Sequence, residues 1–474
     1  MNQSPAFPVV NDVHSGLNAT RVAGIIAPRS VADISAAIAA GAALGLPIAI
    51  CGGRHAMGGQ QFGAGALLLD MRQMDRILAF DDINGLIEVE AGIQWPALID
   101  YLEAAPRPQR PRWSIRQKQT GADTLRLGGC LSSNVHGRGL RMPPFIADVE
   151  AFTLVDADGA LKLCSRESNS DLFGLAIGGY GLFGVIASVT LRLAPRQKMR
   201  RDVVLLQLDD LLPAFDQRIA AGYVYGDFQF AIDPGSADFL QRGVFSCYLP
   251  VDEATPMRDD DKHLSDNDWR RLLGLAHTRK STAFECYAAH YLATDGQLYW
   301  SDRLQQSTYL DGYHHEIDGA LGHCGSEMIG EIYVPRARLA DFMRAAATDF
   351  RKHAVDLIYG TIRLIERDRE SFLPWAQEDY ACIIFNLHTP HSPEGVEATA
   401  QAFRRLIDMA IARKGSYYLT YSKAASVRQV RACHPNFEQF LDRKRRLDPQ
   451  QRFQSNWYCH YRDLFAASPA EKAA

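Results

Sequence analysis

The sequence predicts an α+β chain: two small α/β units, then an antiparallel sheet covered by helices. Three observations carry that reading. Strand and helix signals alternate from Arg21 to Leu193, with glycine-rich turns between them. From about Met199 the texture shifts to aromatic-rich segments that alternate apolar and polar residues, separated by long amphipathic stretches. The last stretch, PNFEQFLDRKRRLDPQQRFQSNWY, reads as a helix stopped by Pro449 and followed by an extended tail.

In the first unit, Arg21 to Ala27 reads as a strand closed by Pro28, and Ser30 starts a helix to about Leu44. Pro47 to Cys51, Ala66 to Asp70 and Gly85 to Glu90 follow as strands, and Pro96 to Glu103 as a helix. The second unit starts near Gly121. It holds strands at Val149 to Asp156 and Ala160 to Cys164, a helix at Ser170 to Ile177, and the alternating strand Val185 to Leu193. Farther on, Val224 to Ile232, Gly243 to Leu249, Met328 to Val334 and Tyr380 to Leu387 read as strands. Ala337 to Arg351 and Val396 to Arg413 read as helices.

Composition excludes several classes. The chain has 474 residues, is 47% hydrophobic and 22% charged, and carries a net charge of −4. That balance argues against a nucleic-acid binder, whose affinity rests on neutralising phosphates. Two basic clusters, Arg107, Arg110, Arg112, Arg116 and Lys118, then Arg443, Lys444, Arg445 and Arg446, read as solvated faces or local ion pairs. Nine cysteines without a C-x-x-C pair suggest free thiols and a cytoplasmic location. Ile34 to Cys51 is uncharged and long enough to span a bilayer, but Gly45-Leu46-Pro47 breaks it, so no membrane span is expected.

Three glycine-rich motifs stand out. The first, ICGGRHAMGGQQFGAG, directly follows a strand; its glycines let backbone N–H groups approach phosphate oxygens. By itself it reads equally as a surface loop with one incidental histidine. The second, LGGCLSSNVHG, has the small residues that admit a large flat ligand. The third, Gly179, Gly181 and Gly184, matches G-x-G-x-x-G but opens a strand rather than a helix, which is the wrong context for a Rossmann fingerprint.

Together, GGRHAMGGQ, LGGCLSSNVHG and GGYGLFGVIASVTLRLAP resemble the vanillyl-alcohol oxidase and p-cresol methylhydroxylase superfamily. Within it the sequence is most similar to alditol and sugar-lactone oxidases, cytokinin dehydrogenases and decaprenylphosphoryl-ribose oxidases. The likeness runs from Arg21 to Pro195 and resumes from Tyr417 to Tyr461. It implies a two-subdomain FAD-binding domain at 1–198, a substrate domain at 199–416 and a return to the FAD domain at 417–474.

The resemblance also implies site residues. Gly52, Gly53, Arg54, His55, Ala56, Met57, Gly58, Gly59 and Gln60 match the loop around the FAD pyrophosphate. His55 matches the histidine that many members bond to the flavin 8α-methyl carbon. A neutral imidazole is required there, so a carboxylate or backbone acceptor is expected to fix its tautomer. Ala122, beside Gly121, stands where a second, cysteinyl link would form, which implies a monocovalent flavin. Gly128, Gly129, Ser132, Ser133, Val135 and His136 match the segment against the cofactor, and Gly184 and Ile186 the turn that packs on it.

Glu331, in a strand resembling the family's E-x-x-x-P, is the candidate to contact or deprotonate a substrate hydroxyl. Arg363 is its expected charge partner, and an ordinary buried ion pair is the competing reading. Where related oxidases place a lysine near the flavin, this chain has Tyr421, with Lys423 two residues on; Tyr421 and Tyr418 suit a phenolic or carbohydrate hydroxyl.

The implied activity is an FAD-linked oxidase or dehydrogenase that takes a hydride from a CH–OH group of a polyol, sugar or related alcohol. Oxygen or another acceptor would then take the electrons. Oxidation of a phenol or amine is the alternative. No metal is expected: His314-His315-Glu316 with His323-Cys324, and His388 with His391, fit no standard zinc spacing.

Overall fold

The computed structural model describes residues 7–105, 112–257 and 261–467. Arg107, Arg110 and the terminal SPAEKAA lie outside them.

The first sheet is parallel and three-stranded, in the order Gly24–Ile26, Leu67–Asp70, Ile48–Cys51. The crossover helix Val31–Leu44 begins where the Ser30 hydroxyl caps the Asp33 N–H and ends at Gly45, whose φ of 65° is the left-handed turn that glycine adopts freely. The uncharged Ile34 to Cys51 stretch is therefore helix, turn and buried strand. Among the described residues no helix is long and apolar enough to cross a membrane. The C-terminal segment returns to this sheet, where Arg452 and Gln454 bond the backbone of Ile48 on either side of Phe453.

The second sheet is antiparallel, in the order Leu161–Ser165, Val149–Val155, Val185–Arg192, Leu86–Glu90, Ile77–Asp81. Here one expectation is corrected. The strand expected over Gly85 to Glu90 belongs to this sheet and not to the first, pairing Val89 with Val189. Its apolar side chains Ile87 and Val89 are fully buried in a core with Trp95, Leu98 and Ile99 of the helix Trp95–Ala104, and that burial selects the sheet. The small-residue segment Leu127–Ser133 is a short helix.

The third sheet has eight antiparallel strands, in the order Leu298–Trp300, Lys198–Gln207, Arg242–Val251, Tyr225–Phe230, Leu357–Ile365, Tyr380–Pro390, Gly325–Pro335, Ser416–Tyr417. Alternation along its strands sorts the side chains. Ile332, Val334, Ile362, Leu364, Ile383 and Phe385 point into a core with Phe215, Phe342, Phe350, Phe403 and Leu406 from the helices Leu208–Ala220, Leu339–Lys352 and Pro393–Ile411. The residues between them, among them Glu327, Glu331, Arg363, Cys382, Asn386 and His388, share the opposite face.

Two helices unmarked in the sequence reading, Asp266–Thr278 and Lys280–Leu292, flank this face; the first opens on a Ser265/Asp268 capping box. The expected extended tail is also corrected. Asn456–Ala466 is a helix capped by Ser455, because Trp457, Tyr458, Tyr461 and Phe465 form one buried stripe. Within the basic clusters, Arg116 pairs with Asp148, buried Lys118 with Asp123, Lys444 with Asp448 and Arg445 with Asp442.

Candidate active site

A cavity of about 1130 Å³ runs between the glycine-rich segments and the polar face of the large sheet. Its wall contains Gly52, Gly53, Arg54, His55, Ala56 and Gln60 from the first loop. Gly121, Ala122, Gly128, Gly129, Ser132, Ser133, Val135 and His136 come from the middle segment, and Gly184 and Ile186 from the third. The sheet side brings Glu331, Arg363, Tyr418 and Tyr421. Met57, Gly58 and Gly59 are not in the wall. Neither is Lys423, whose ammonium sits behind Gly59, 3.4 Å from where a Cβ would stand.

The cradle fits a large, flat, polar-ended ligand. A Cβ at Gly121 or Gly129 would meet nothing within 4 Å, so both leave open space in the wall. Gly184, at a φ of 150°, admits no Cβ, which would stand 2.4 Å from Leu154. Arg54 and Tyr180 hold positive φ values of 61° and 53°, a strain that recurs at ligand-clamping loops. Asp70 fixes the Arg54 guanidinium at 3.1 Å. Around the loop, Gln60 Oε1, Gln61 Oε1, Arg54 Nε and Arg126 Nε are buried without hydrogen-bond partners. Such groups are costly unless a ligand satisfies them.

His55 stands in the wall with its ring between two partners. Its Nδ1 is 2.9 Å from His14 Nε2, and its Nε2 is 3.0 Å from Thr124 Oγ1. The sequence led to a carboxylate or backbone acceptor; the Thr124 backbone does hydrogen-bond the ring, and the His14 imidazole and Thr124 hydroxyl join it. Burial, then the neighbouring His14, holds the His55 imidazole down at about 3, and burial holds His14 at about 4. Both rings are neutral at physiological pH, so His55 has a lone pair available as a nucleophile. Nothing in the motif NDVHSG marked His14.

Across the cavity, Glu331 is 4% exposed and does not pair with Arg363 as expected. Its Oε1 takes three contacts: His136 Nε2 at 2.6 Å, the Tyr333 hydroxyl at 2.5 Å and the Cys382 thiol at 3.4 Å. Arg363 instead donates to the Thr120 hydroxyl and leaves its Nε unpartnered. The reason is strand order: Glu331 and Arg363 share a sheet face, but the strand Tyr380–Pro390 lies between theirs, whereas the His136 imidazole and the Tyr333 hydroxyl are within hydrogen-bond reach. His136 Nδ1 faces the Gly137 carbonyl at 2.9 Å, which can only accept. Nδ1 therefore carries a hydrogen, and one further proton sits between His136 Nε2 and Glu331. Burial pushes the Glu331 carboxyl up, but His136, the Tyr333 hydrogen bond and the Arg363 charge outweigh it and hold it below the ordinary carboxylate range. With three donors on Oε1, the second oxygen is the one left to meet a ligand.

Tyr418 donates to the Ser133 carbonyl at 2.6 Å and meets Tyr421 edge-on at 5.4 Å. Burial pushes both phenols well above their usual value, so they stay protonated.

Residues 22–165 match the family model described as an FAD binding domain. The chain carries an FAD-binding domain of the p-cresol-methylhydroxylase type. FAD is its cofactor. An uncharacterized oxidoreductase ORF5 in the fasciation locus of Rhodococcoides fascians is 32% identical over 41% of this chain and 44% of its own length. Cytokinin dehydrogenase 1 of Oryza sativa subsp. japonica is 25% identical over 92% of this chain and 86% of its own. L-gulonolactone oxidase of Mus musculus is 28% identical over 40% and 42%. The chain thus spans less than half the length of two of these relatives and most of the third.

Proposed function

We propose that this chain is an oxidoreductase that takes a hydride from the CH–OH carbon of a polyol, sugar or sugar lactone, with FAD held by one covalent bond to His55. Bound FAD supplies the acceptor for that hydride. The observation that carries the reading is Glu331, a buried residue of the cavity wall whose carboxyl is held below the ordinary range and whose Oε1 takes all three contacts, which leaves the other oxygen for a ligand. A substrate hydroxyl donates to that free oxygen. As the C–H bond breaks, the hydroxyl becomes acidic and its proton passes to Glu331, directly or through water. Tyr333 and His136 keep the carboxylate oriented meanwhile. Thr361 Oγ1, Arg363 Nε and Asn386 Oδ1, buried without partners on the same sheet face, supply donors and an acceptor for further hydroxyls.

The second reading, a phenolic or amine substrate, is favoured by the Tyr418–Tyr421 pair and by the cytokinin dehydrogenase whose alignment spans most of this chain. The purified enzyme is mixed, without oxygen, with polyols, sugars, lactones, cytokinins and para-alkyl phenols, and loss of the flavin absorbance is followed. Bleaching by the hydroxyl compounds supports the first reading; bleaching by only the cytokinins or phenols sinks it. Repeating the reaction in air separates oxygen from another electron acceptor.

A further inference from the structure

The strand that carries Glu331 holds a second acidic side chain on the same face. Glu327 precedes Glu331 by four residues, about 13 Å along the strand. Its cross-strand neighbour is His388. A third group reaches in from the last turn of the helix Asp266–Thr278: His277 places Nε2 3.0 Å from Glu327 Oε1. One donor atom from each of the three lies within 4.8 Å of the other two. Two more imidazoles border the cluster. His314 Nε2 is 2.8 Å from Glu327 Oε2, and His323 Nε2 is 2.9 Å from His388 Nε2.

Hydrogen bonding accounts for only part of this arrangement: Glu327 Oε2 accepts from the Tyr313 hydroxyl. The His277 side chain is 0% exposed, yet neither of its ring nitrogens has a hydrogen-bond partner. Glu327 Oε1 is unpartnered too, although it lies 3.0 Å from His277 Nε2. The two groups approach closely without the alignment of a donor and an acceptor. Their ligand atoms and that of His388 lie close enough together to share one cation. Buried groups of this kind are costly without a partner. Gly325 adds to the case: a Cβ there would stand 2.4 Å from His388 Cε1, so the glycine makes room for the ring.

We propose that His277, Glu327 and His388 bind a divalent transition-metal ion, with His314 and His323 placed to complete or support its coordination. Two imidazoles and one carboxylate suit zinc and its first-row neighbours; magnesium and calcium prefer all-oxygen sites. The three ligands come from one helix and two strands, so the ion cross-links them. The helix supplies Trp269, Leu272, Leu273 and Ala276 to the cavity wall, and the metal therefore pins that wall to the sheet. His277 and Glu327 fall outside the histidine pairs visible in the sequence, and so the spacing test missed them.

The test uses the flavin-loaded full chain. The protein is stripped with a chelator, reloaded with zinc, passed through a desalting column, and its metal content counted. X-ray absorption at the zinc edge then reads the ligands. The expected result is one zinc per chain, with nitrogen and oxygen ligands at about 2.0–2.1 Å and imidazole outer-shell scattering. His277→Ala and Glu327→Gln each lose the ion, and His323→Ala weakens it by about 10–100-fold. Flavin content stays unchanged in all three. Far less than one zinc per chain in the folded wild type overturns the proposal. So does a sulfur shell at about 2.3 Å, which would point to the exposed Cys324. The wild-type count and spectrum decide the matter even where a variant fails to fold, and neither depends on the role given to Glu331.

Discussion

Replacing Glu331 with glutamine changes one atom of consequence. The amide oxygen can keep the place of Oε1 and still accept from His136, Tyr333 and Cys382. The amide nitrogen then takes the cavity-facing position, and a donor stands where an acceptor stood. A substrate hydroxyl loses the group that receives its proton. Loss of a positioned base typically costs about 10²–10⁴ in rate, which is about 2.7–5.4 kcal/mol of barrier. Flipping the amide offers no escape, because its NH₂ would then face the His136 and Tyr333 donors at a cost of about 1–3 kcal/mol. The assay is anaerobic stopped-flow reduction of the flavin by saturating substrate, with a melting curve for each protein. The limiting reduction rate should fall by the stated factor, while the apparent substrate affinity changes less. A Glu331→Gln enzyme that melts normally and reduces its flavin at the wild-type rate would refute the assignment of Glu331 as base.

Three further outcomes follow from the same geometry. His55→Ala should fold and bind FAD but release all yellow colour into the supernatant on acid precipitation; His14→Ala, which removes the Nδ1 partner, should lower the covalent fraction. Gly129→Leu places a side chain in open cavity space, so the protein should keep its melting temperature without flavin and lose flavin content; unchanged occupancy would mean the cofactor does not pass over that helix. His434 is 1% exposed, and burial lowers its pKa to about 3. Between that value and 6.5 the unfolded chain binds a proton that the folded chain refuses, so stability is complete above 6.5 and falls as pH falls. By pH 5 the loss is about 2 kcal/mol. Urea midpoints measured against pH should show a shallower acid slope for His434→Leu, and an identical slope would contradict the assignment.

Much of the architecture was legible because it is written in neighbouring residues. Ser30 and Gly45 bound a helix through their own cap chemistry, Val185 to Leu193 reads as a strand although the fold buries Val185 to Val189 on both faces rather than one, and Gly52, Gly53, Gly128 and Gly129 line the cavity where they stand. The family's motifs carried FAD the same way. Sheet membership was not legible: the Leu86–Glu90 strand presents the same apolar alternation to either sheet, and only the burial of Ile87 and Val89 against Trp95 and Leu98 decides. Nor was the tail, whose Trp457–Phe465 stripe becomes a helix by packing.

The charge partners were the least readable of all. The sequence alone determined which residue types could do chemistry: a neutral histidine in a glycine loop, and an acid on a strand of the large sheet. Tertiary structure decided what each one touches. It set His136 rather than Arg363 on Glu331, His14 and Thr124 on His55, and His277 on Glu327. The physical reason is range. Caps, turns and pleat alternation are settled within a few residues, whereas a hydrogen bond or a shared cation depends on how distant segments are brought together by the burial of other side chains.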